Sequence, residues 1–208
     1  MRPTAWPPAL EERAQALLRR YPDPRSALGP LLYLAMRHDG GLTDAGIRRV
    51  AELTGLTPAQ VQSVSSFYTM YKEAPGRYVI SVCLSISCHL LDGAAVLAAV
   101  EEETGVADGE TGADRLFTVE HAECLGACGG APALQVNYET VEGITPDGAR
   151  RLCRWLRDAR PAVVRSDTMQ GQFGGPRAFD WGPGEAAGAV AAVPAFEPYG
   201  TAGEEAGA

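Results

Sequence analysis

Between Trp6 and Gly76 the apolar residues recur at a helical period, and turn residues break them into short runs. In PALEERAQALLRRY, Leu10, Ala14, Leu17 and Leu18 fall on one face, and Pro7 and Pro8 suit a helix start. SALGPLLYLAMRHDGG is apolar from Leu28 to Met36, with Pro30 in its first turn, and stops at Gly40 and Gly41. LTDAGIRRVAELTG offers Thr43 as a cap, a stripe of Ile47, Val50, Ala51 and Leu53, and Gly55 as the stop. LTPAQVQSVSSFYTMY restarts with Thr57 as cap and Pro58 at the first helical position. The pattern predicts four short helices packed together. KEAPGR, with the breakers Pro75 and Gly76, reads as a linker closing a helical region over 1–76.

From Arg77 the period changes. RYVISVC alternates as a strand does, and GAAVLAAVEEETG is an amphipathic helix ending at Gly105. DRLFTVEHAEC is strand-like, ALQVNYETVEG reads as a hairpin, and TPDGARRLCRWLRDA is a closing helix. The order β-α-β-β-β-α over 77–160 predicts a small sheet covered by helices, so the chain is of the α+β class. Over 161–208, Ala, Gly and Pro supply about half the residues with no helical stripe, which predicts a mostly disordered tail. Within it, QFGGPRAFDW is the exception: Phe173, Phe179 and Trp181 are read either as rings able to dock on a surface or, more plainly, as stray aromatics in a linker.

A formal charge of −8 argues against general affinity for nucleic acid or anionic membrane surfaces. No run approaches the length of a membrane span. MRPTAWPPALEERAQ reaches charged residues too early for a secretory signal, so a cytosolic address is expected. Structural disulfides are rare there, and clustered cysteines are more often ligands or catalysts.

Four of the five cysteines are clustered: Cys83 and Cys88 with four residues between them, Cys124 and Cys128 with three. Both pairs are expected in loops after strands, where function concentrates. A disulfide is weakened by the compartment, and a thioredoxin-type redox site needs C-x-x-C, which neither pair has. Structural zinc remains open, since four-cysteine zinc sites are common, although they usually include a tighter knuckle. An iron–sulfur cluster also takes four thiolates and tolerates a C-x4-C spacing. It gains from backbone N–H groups turned toward sulfur, which Gly126, Gly129 and Gly130 favour, and Ser85 and Ser87 add hydroxyls. Spacing and glycines lean toward iron–sulfur.

SVCLSISCHLLDGA followed by ECLGACGGAP resembles the E-subunit family of bacterial NADH:quinone oxidoreductase, respiratory complex I. YPDPRSALGPLLYLAM and VQSVSSFYTMY are similar to that family's helical segment, so the likeness runs from about Tyr21 to Arg160. The resemblance implies an N-terminal helical bundle followed by a thioredoxin-like α/β ferredoxin domain with one [2Fe–2S] cluster. It implies Cys83, Cys88, Cys124 and Cys128 as the ligands. It further implies a flavin- and NADH-binding partner subunit, with FMN and NADH held there, inside a larger peripheral arm. That arm meets the membrane only indirectly, on the cytoplasmic face. Related subunits serve NAD-linked hydrogenases and formate dehydrogenases. No Gly-rich dinucleotide fingerprint occurs in the chain, which fits an electron-transfer subunit without a complete active site.

The remaining candidates read more plainly. Cys153, in RRLCRWL, is expected as a small buried hydrophobe and not as a fifth ligand. His89 and His121 flank the cysteines and raise a Rieske-like centre, but four cysteines already complete a cluster. Glu101, Glu102 and Glu103 read as a solvated helix face. IRRVAELTGLTPAQVQSV has the look of a helix-turn-helix, and with a metal site would make a regulator. Its candidate recognition helix, PAQVQSVSSFY, contains no Lys or Arg for phosphate contacts.

Overall fold

A computed structural model of the chain describes residues 6–179 and 188–189. They fall into two compact units, one ending at Ala74 and one beginning at Pro75.

The first unit is helical: α1 (Pro8–Leu18), α2 (Leu28–Asp39), α3 (Asp44–Thr54) and α4 (Pro58–Phe67), with a 3-10 turn at Pro24–Ala27. Local chemistry sets the boundaries. The Thr43 side chain accepts the Gly46 N–H ahead of α3, and Thr57 and Gln60 form a reciprocal capping box at the start of α4. Gly40 and Gly55 close α2 and α3 in the left-handed conformation. Ala14 and Leu17 of α1, Leu31, Leu32 and Met36 of α2, Ile47 and Val50 of α3, and Val61 of α4 are buried. Leu10, Leu18 and Leu53, expected in the stripes, are only half-buried.

The second unit is a five-stranded sheet in the order β2-β3-β1-β4-β5. Its strands are β1 (Tyr78–Cys83), β2 (Glu110–Thr111), β3 (Phe117–Ala122), β4 (Ala133–Val136) and β5 (Glu139–Glu142). β1 runs parallel to β3, and the other pairings are antiparallel. All six residues of β1 are buried, so the alternation of RYVISVC marks two covered faces and not one wet face. β4 and β5 form the expected hairpin, turned by Asn137 and Tyr138, both at positive φ as a two-residue turn of type I′ demands. The Asn137 side chain then clamps the start of β1, accepting the Val79 N–H at 2.8 Å and donating to the Arg77 carbonyl at 3.0 Å.

Helices α5 (Ile86–Leu90), α6 (Gly93–Thr104), α7 (Pro146–Ala159) and α8 (Ser166–Phe173) complete this unit. Cys153 lies on α7, fully buried in the core with Leu152 and Leu156, as a small apolar residue. The acids of α6 are not simply solvated. Arg150 pairs with Glu102 at 2.7 Å, Arg154 and Arg157 each reach Glu103 at 2.9 Å, and Glu101 accepts the Asp108 N–H.

Three expectations are corrected here. Helix α5 and strand β2 have no counterpart in the sequence pattern, and DRLFTVEHAEC pairs as a strand only over β3, because Asp114–Leu116 turn back from β2. The sheet unit also does not end at residue 160. Met169 and Phe173 of α8 enter the same core, Trp155 and Phe173 lie 5.5 Å apart, and Val164 bridges to Ala189. Burial of those two side chains outweighs the polar, Gly-containing composition that predicted disorder. Trp181 and residues 190–208 lie outside the described residues.

Candidate metal centre

The register of two parallel strands builds the site. Cys83 is the last residue of β1 and stands opposite Ala122, the last of β3. The chain therefore leaves both strands at the same end of the sheet, where loops of α/β folds gather functional groups. Cys124 lies two residues beyond β3, and Cys128 opens a 3-10 turn that runs to Gly130. Cys88 sits on α5 with its side chain turned inward, so only the second pair occupies a loop and the expectation of two loop pairs is corrected. Cys83 and Cys88 are buried together with Ala133, under Leu125, Ala127 and Ala131.

The sulfurs stand as two close pairs. Cys124 Sγ and Cys128 Sγ are 3.5 Å apart, and Cys83 and Cys88 are packed together in one buried cluster. None of the five cysteines is in a disulfide. Among the described residues no three His, Cys, Asp or Glu side chains gather about one point. A two-iron cluster takes two thiolates at each iron, and the four cysteines stand as two pairs.

Main-chain and hydroxyl groups already point at the sulfurs. Gly126, at φ +81, donates its N–H to Cys124 Sγ at 3.4 Å. Ala133 packs against Cys83 and Cys88, and its N–H acts to lower the Cys88 thiol, as the Ser87 hydroxyl does that of Cys128. Cys83 Sγ donates in turn to the Glu123 carbonyl at 2.9 Å. Such donors stabilise negative charge on sulfur, the requirement of a tetrathiolate centre. Of the two serines expected to contribute, Ser87 does so, while Ser85 stands at the N-terminus of α5.

The thiols differ in acidity for physical reasons. Burial, with the neighbouring Cys83, pushes Cys88 up to about 11, and the Gly126 N–H holds Cys124 below the ordinary thiol value. Cys128 is raised chiefly by its hydrogen bond with the adjacent Cys124, which favours the protonated thiol, and next by repulsion between neighbouring thiolates. Cys153, in the core, is pushed up to about 12 by burial. The histidines do not join the sulfurs. His121 Nδ1 lies 2.6 Å from Asp108 Oδ2, and His89 is on the exposed side of α5.

Sequence reasoning singled out the four cysteines that stand here as two pairs, and Gly126, whose N–H reaches Cys124. It missed Ala133, which strand pairing brings against Cys83 and Cys88 and which carries no local signal.

A family model described as thioredoxin-like [2Fe–2S] ferredoxin matches residues 14–157. The E subunit of NADH-quinone oxidoreductase from Mycobacterium tuberculosis is 43% identical over 164 residues, covering 76% of this chain and 65% of that protein. The chain thus spans under two thirds of this relative's length. NADH-quinone oxidoreductase subunit 2 of Thermus thermophilus is 38% identical over 135 residues, covering 64% of this chain and 75% of the relative. Among solved structures, an NAD+-reducing [NiFe]-hydrogenase in the air-oxidised state superposes with a TM-score of 0.58. That match covers 63% of this chain and 23% of the hydrogenase chain at 21% identity, a likeness of fold.

Proposed function

Because the chain belongs to the thioredoxin-like [2Fe–2S] ferredoxin family, we propose that it is an electron-transfer subunit of an NADH:quinone oxidoreductase, with Cys83, Cys88, Cys124 and Cys128 holding one [2Fe–2S] cluster. The observation that carries this reading is the meeting of two cysteine pairs at the common end of the parallel strands β1 and β3. Cys83 and Cys88 take one iron and Cys124 and Cys128 the other. When bound, the cluster supplies one-electron redox chemistry.

The residues of this chain hold and tune the centre. The buried pair, roofed by Leu125, Ala127 and Ala131, keeps water from one side, and the exposed pair leaves the other side open to a partner. The N–H groups of Gly126 and Ala133 and the Ser87 hydroxyl favour the more negative, reduced state. FMN and NADH are held by a partner subunit, since this sequence has no dinucleotide fingerprint. The helical region over 1–76 is assigned to contact with that partner, and the sheet region to the cluster. Among the described residues no helix is long and apolar enough to cross a membrane. On the family likeness we assign the chain to a larger complex that meets the membrane on its cytoplasmic face.

The test has two parts. Purified anaerobically, the chain should contain two irons and two acid-labile sulfides, the [2Fe–2S] stoichiometry, and give a paramagnetic signal only on reduction. It should oxidise no NADH alone, yet form a heterodimer with the flavin subunit that reduces artificial acceptors. A colourless protein with one zinc would end the electron-transfer reading.

A further inference from the structure

The residues after Arg160 lie beyond the stretch matched by the family model, yet they reach back to the turn that begins at Cys128. Glu142, the last residue of β5, stands where the two meet and is 6% exposed. Its side chain packs on Gly130 so closely that a Cβ there would overlap the carboxylate. The same carboxylate accepts the Ala178 N–H at 2.9 Å. Its main chain is held by Gln170 of α8: the Glu142 N–H donates to Gln170 Oε1 at 2.8 Å, and Gln170 Nε2 donates to the Glu142 carbonyl at 3.0 Å. Gly175 N–H donates to that carbonyl as well, at 2.9 Å.

Two contacts carry this arrangement to the sulfurs. The Gly143 N–H donates to the Gly130 carbonyl, and a Cβ on Gly129 would lie 2.8 Å from Ala178 Cβ, so the turn is gripped from both sides. Across the β4–β5 ladder Glu142 pairs with Ala133, which is packed in one buried cluster with Cys83 and Cys88, its N–H on the side of the Cys88 sulfur. One residue therefore stands behind a member of each cysteine pair.

We propose that Glu142 is a positioning residue for the cluster, acting with Gln170–Ala178 as a clasp that fixes the Cys128–Gly130 turn and the Ala133 N–H. The proposal rests on the cluster reading given above. The clasp touches neither iron nor sulfur. It removes freedom from the loop that must present one thiolate and from the strand that presents one donor. Outer-shell partners of this kind are typically worth about 10–100-fold in retention of the metal.

The test compares the full chain, purified anaerobically, as wild type, Glu142→Ala, Glu142→Gln and Ala178→Pro. Cluster loss to an iron chelator is followed by visible absorbance, and the geometry around the irons by visible circular dichroism. Glu142→Ala should lose the cluster at least about tenfold faster than wild type, with an altered dichroic spectrum. Glu142→Gln keeps the size and an acceptor oxygen, and should return both readouts close to wild type. Ala178→Pro deletes the N–H that the carboxylate accepts, at a position outside the core of α8, and should speed loss with the far-ultraviolet spectrum unchanged. It decides the question by itself if Glu142→Ala does not fold. Wild type with its cluster, beside Glu142→Ala or Ala178→Pro variants of equal lifetime and spectrum, overturns the clasp alone. Wild type without iron overturns both readings.

Discussion

The sharpest departure from a minimal ferredoxin domain is helix α8, and its docking can be measured. Met169 is fully buried, and Phe173 joins it against Trp155 in the core of the sheet unit. An eight-residue helix cannot sustain itself in water, so α8 persists through this packing. Met169→Ala removes the buried side chain, and such truncations cost about 2–5 kcal/mol. Because the cost falls on the docking of one short element, it should appear as easier local opening. At about 1.4 kcal/mol per factor of ten, even the low end amounts to a roughly 30-fold rise in the open population. Hydrogen exchange by mass spectrometry on the cluster-bound chain reads this directly. The Gly174 N–H, bonded to the Gln170 carbonyl, and its α8 neighbours should exchange about 30-fold faster or more, with the amides of β1 far less affected. An acceleration below about threefold, or wild-type α8 amides exchanging as in an open chain, would refute the packing argument.

Alanine at Cys83, Cys88, Cys124 or Cys128 should each strip the cluster, whereas Cys153→Ala should keep it and cost about 1 kcal/mol, checked by iron content and unfolding midpoint. Gly126→Val should lower the reduction potential and shorten cluster lifetime, because φ +81 excludes a β-branched side chain and the N–H to Cys124 moves; unchanged values in a redox titration would show the glycine to be incidental. The carboxyl of Glu103 is held below the ordinary carboxylate range by hydrogen bonds from Arg154 and Arg157, so its contribution exists above the unfolded value and fades as pH falls through the folded one. Glu103→Gln should therefore lower stability at pH 7 by about 1 kcal/mol and converge on wild type only once the pH has fallen below the folded value; a gap of constant size down to that point would contradict the ion-pair reading.

Much of this was legible because its causes are local. Thr43, Thr57, Gly40 and Gly55 terminate helices through contacts within a few residues, and the pattern shows them directly. Elements without a local cause were missed. Helix α5 exposes Ile86 and Leu90 while burying Cys88, so it shows no amphipathic stripe pointing the expected way. Strand β2 is two exposed residues, too short to have a period. Helix α8 buries Met169 and Phe173 four residues apart, a signal lost among Asp167, Gly171 and the Ala/Gly/Pro segments beyond. At the candidate site the four thiols announce themselves by type and spacing. Their supports do not: the Ala133 N–H and the Glu142 carboxylate arrive through strand pairing, and an acidic residue in a hairpin reads as solvent-facing.

The parallel pairing of β1 with β3 has a consequence for insertions and deletions. The two cysteine pairs meet because Cys83 is level with Ala122, and the number of residues between Cys88 and Cys124 does not enter. Extra residues at the exposed turn around Ala113, between β2 and β3, lengthen a loop whose closure entropy grows slowly, by about 0.6 kcal/mol per doubling. They leave the ladder, and hence the sulfurs, in place. One residue added inside β3 does the opposite: it slips the pairing, turns alternate side chains to the wrong face, and displaces Cys124 by about 3.3 Å along the strand. Length is therefore free in the crossover and fixed in the strands.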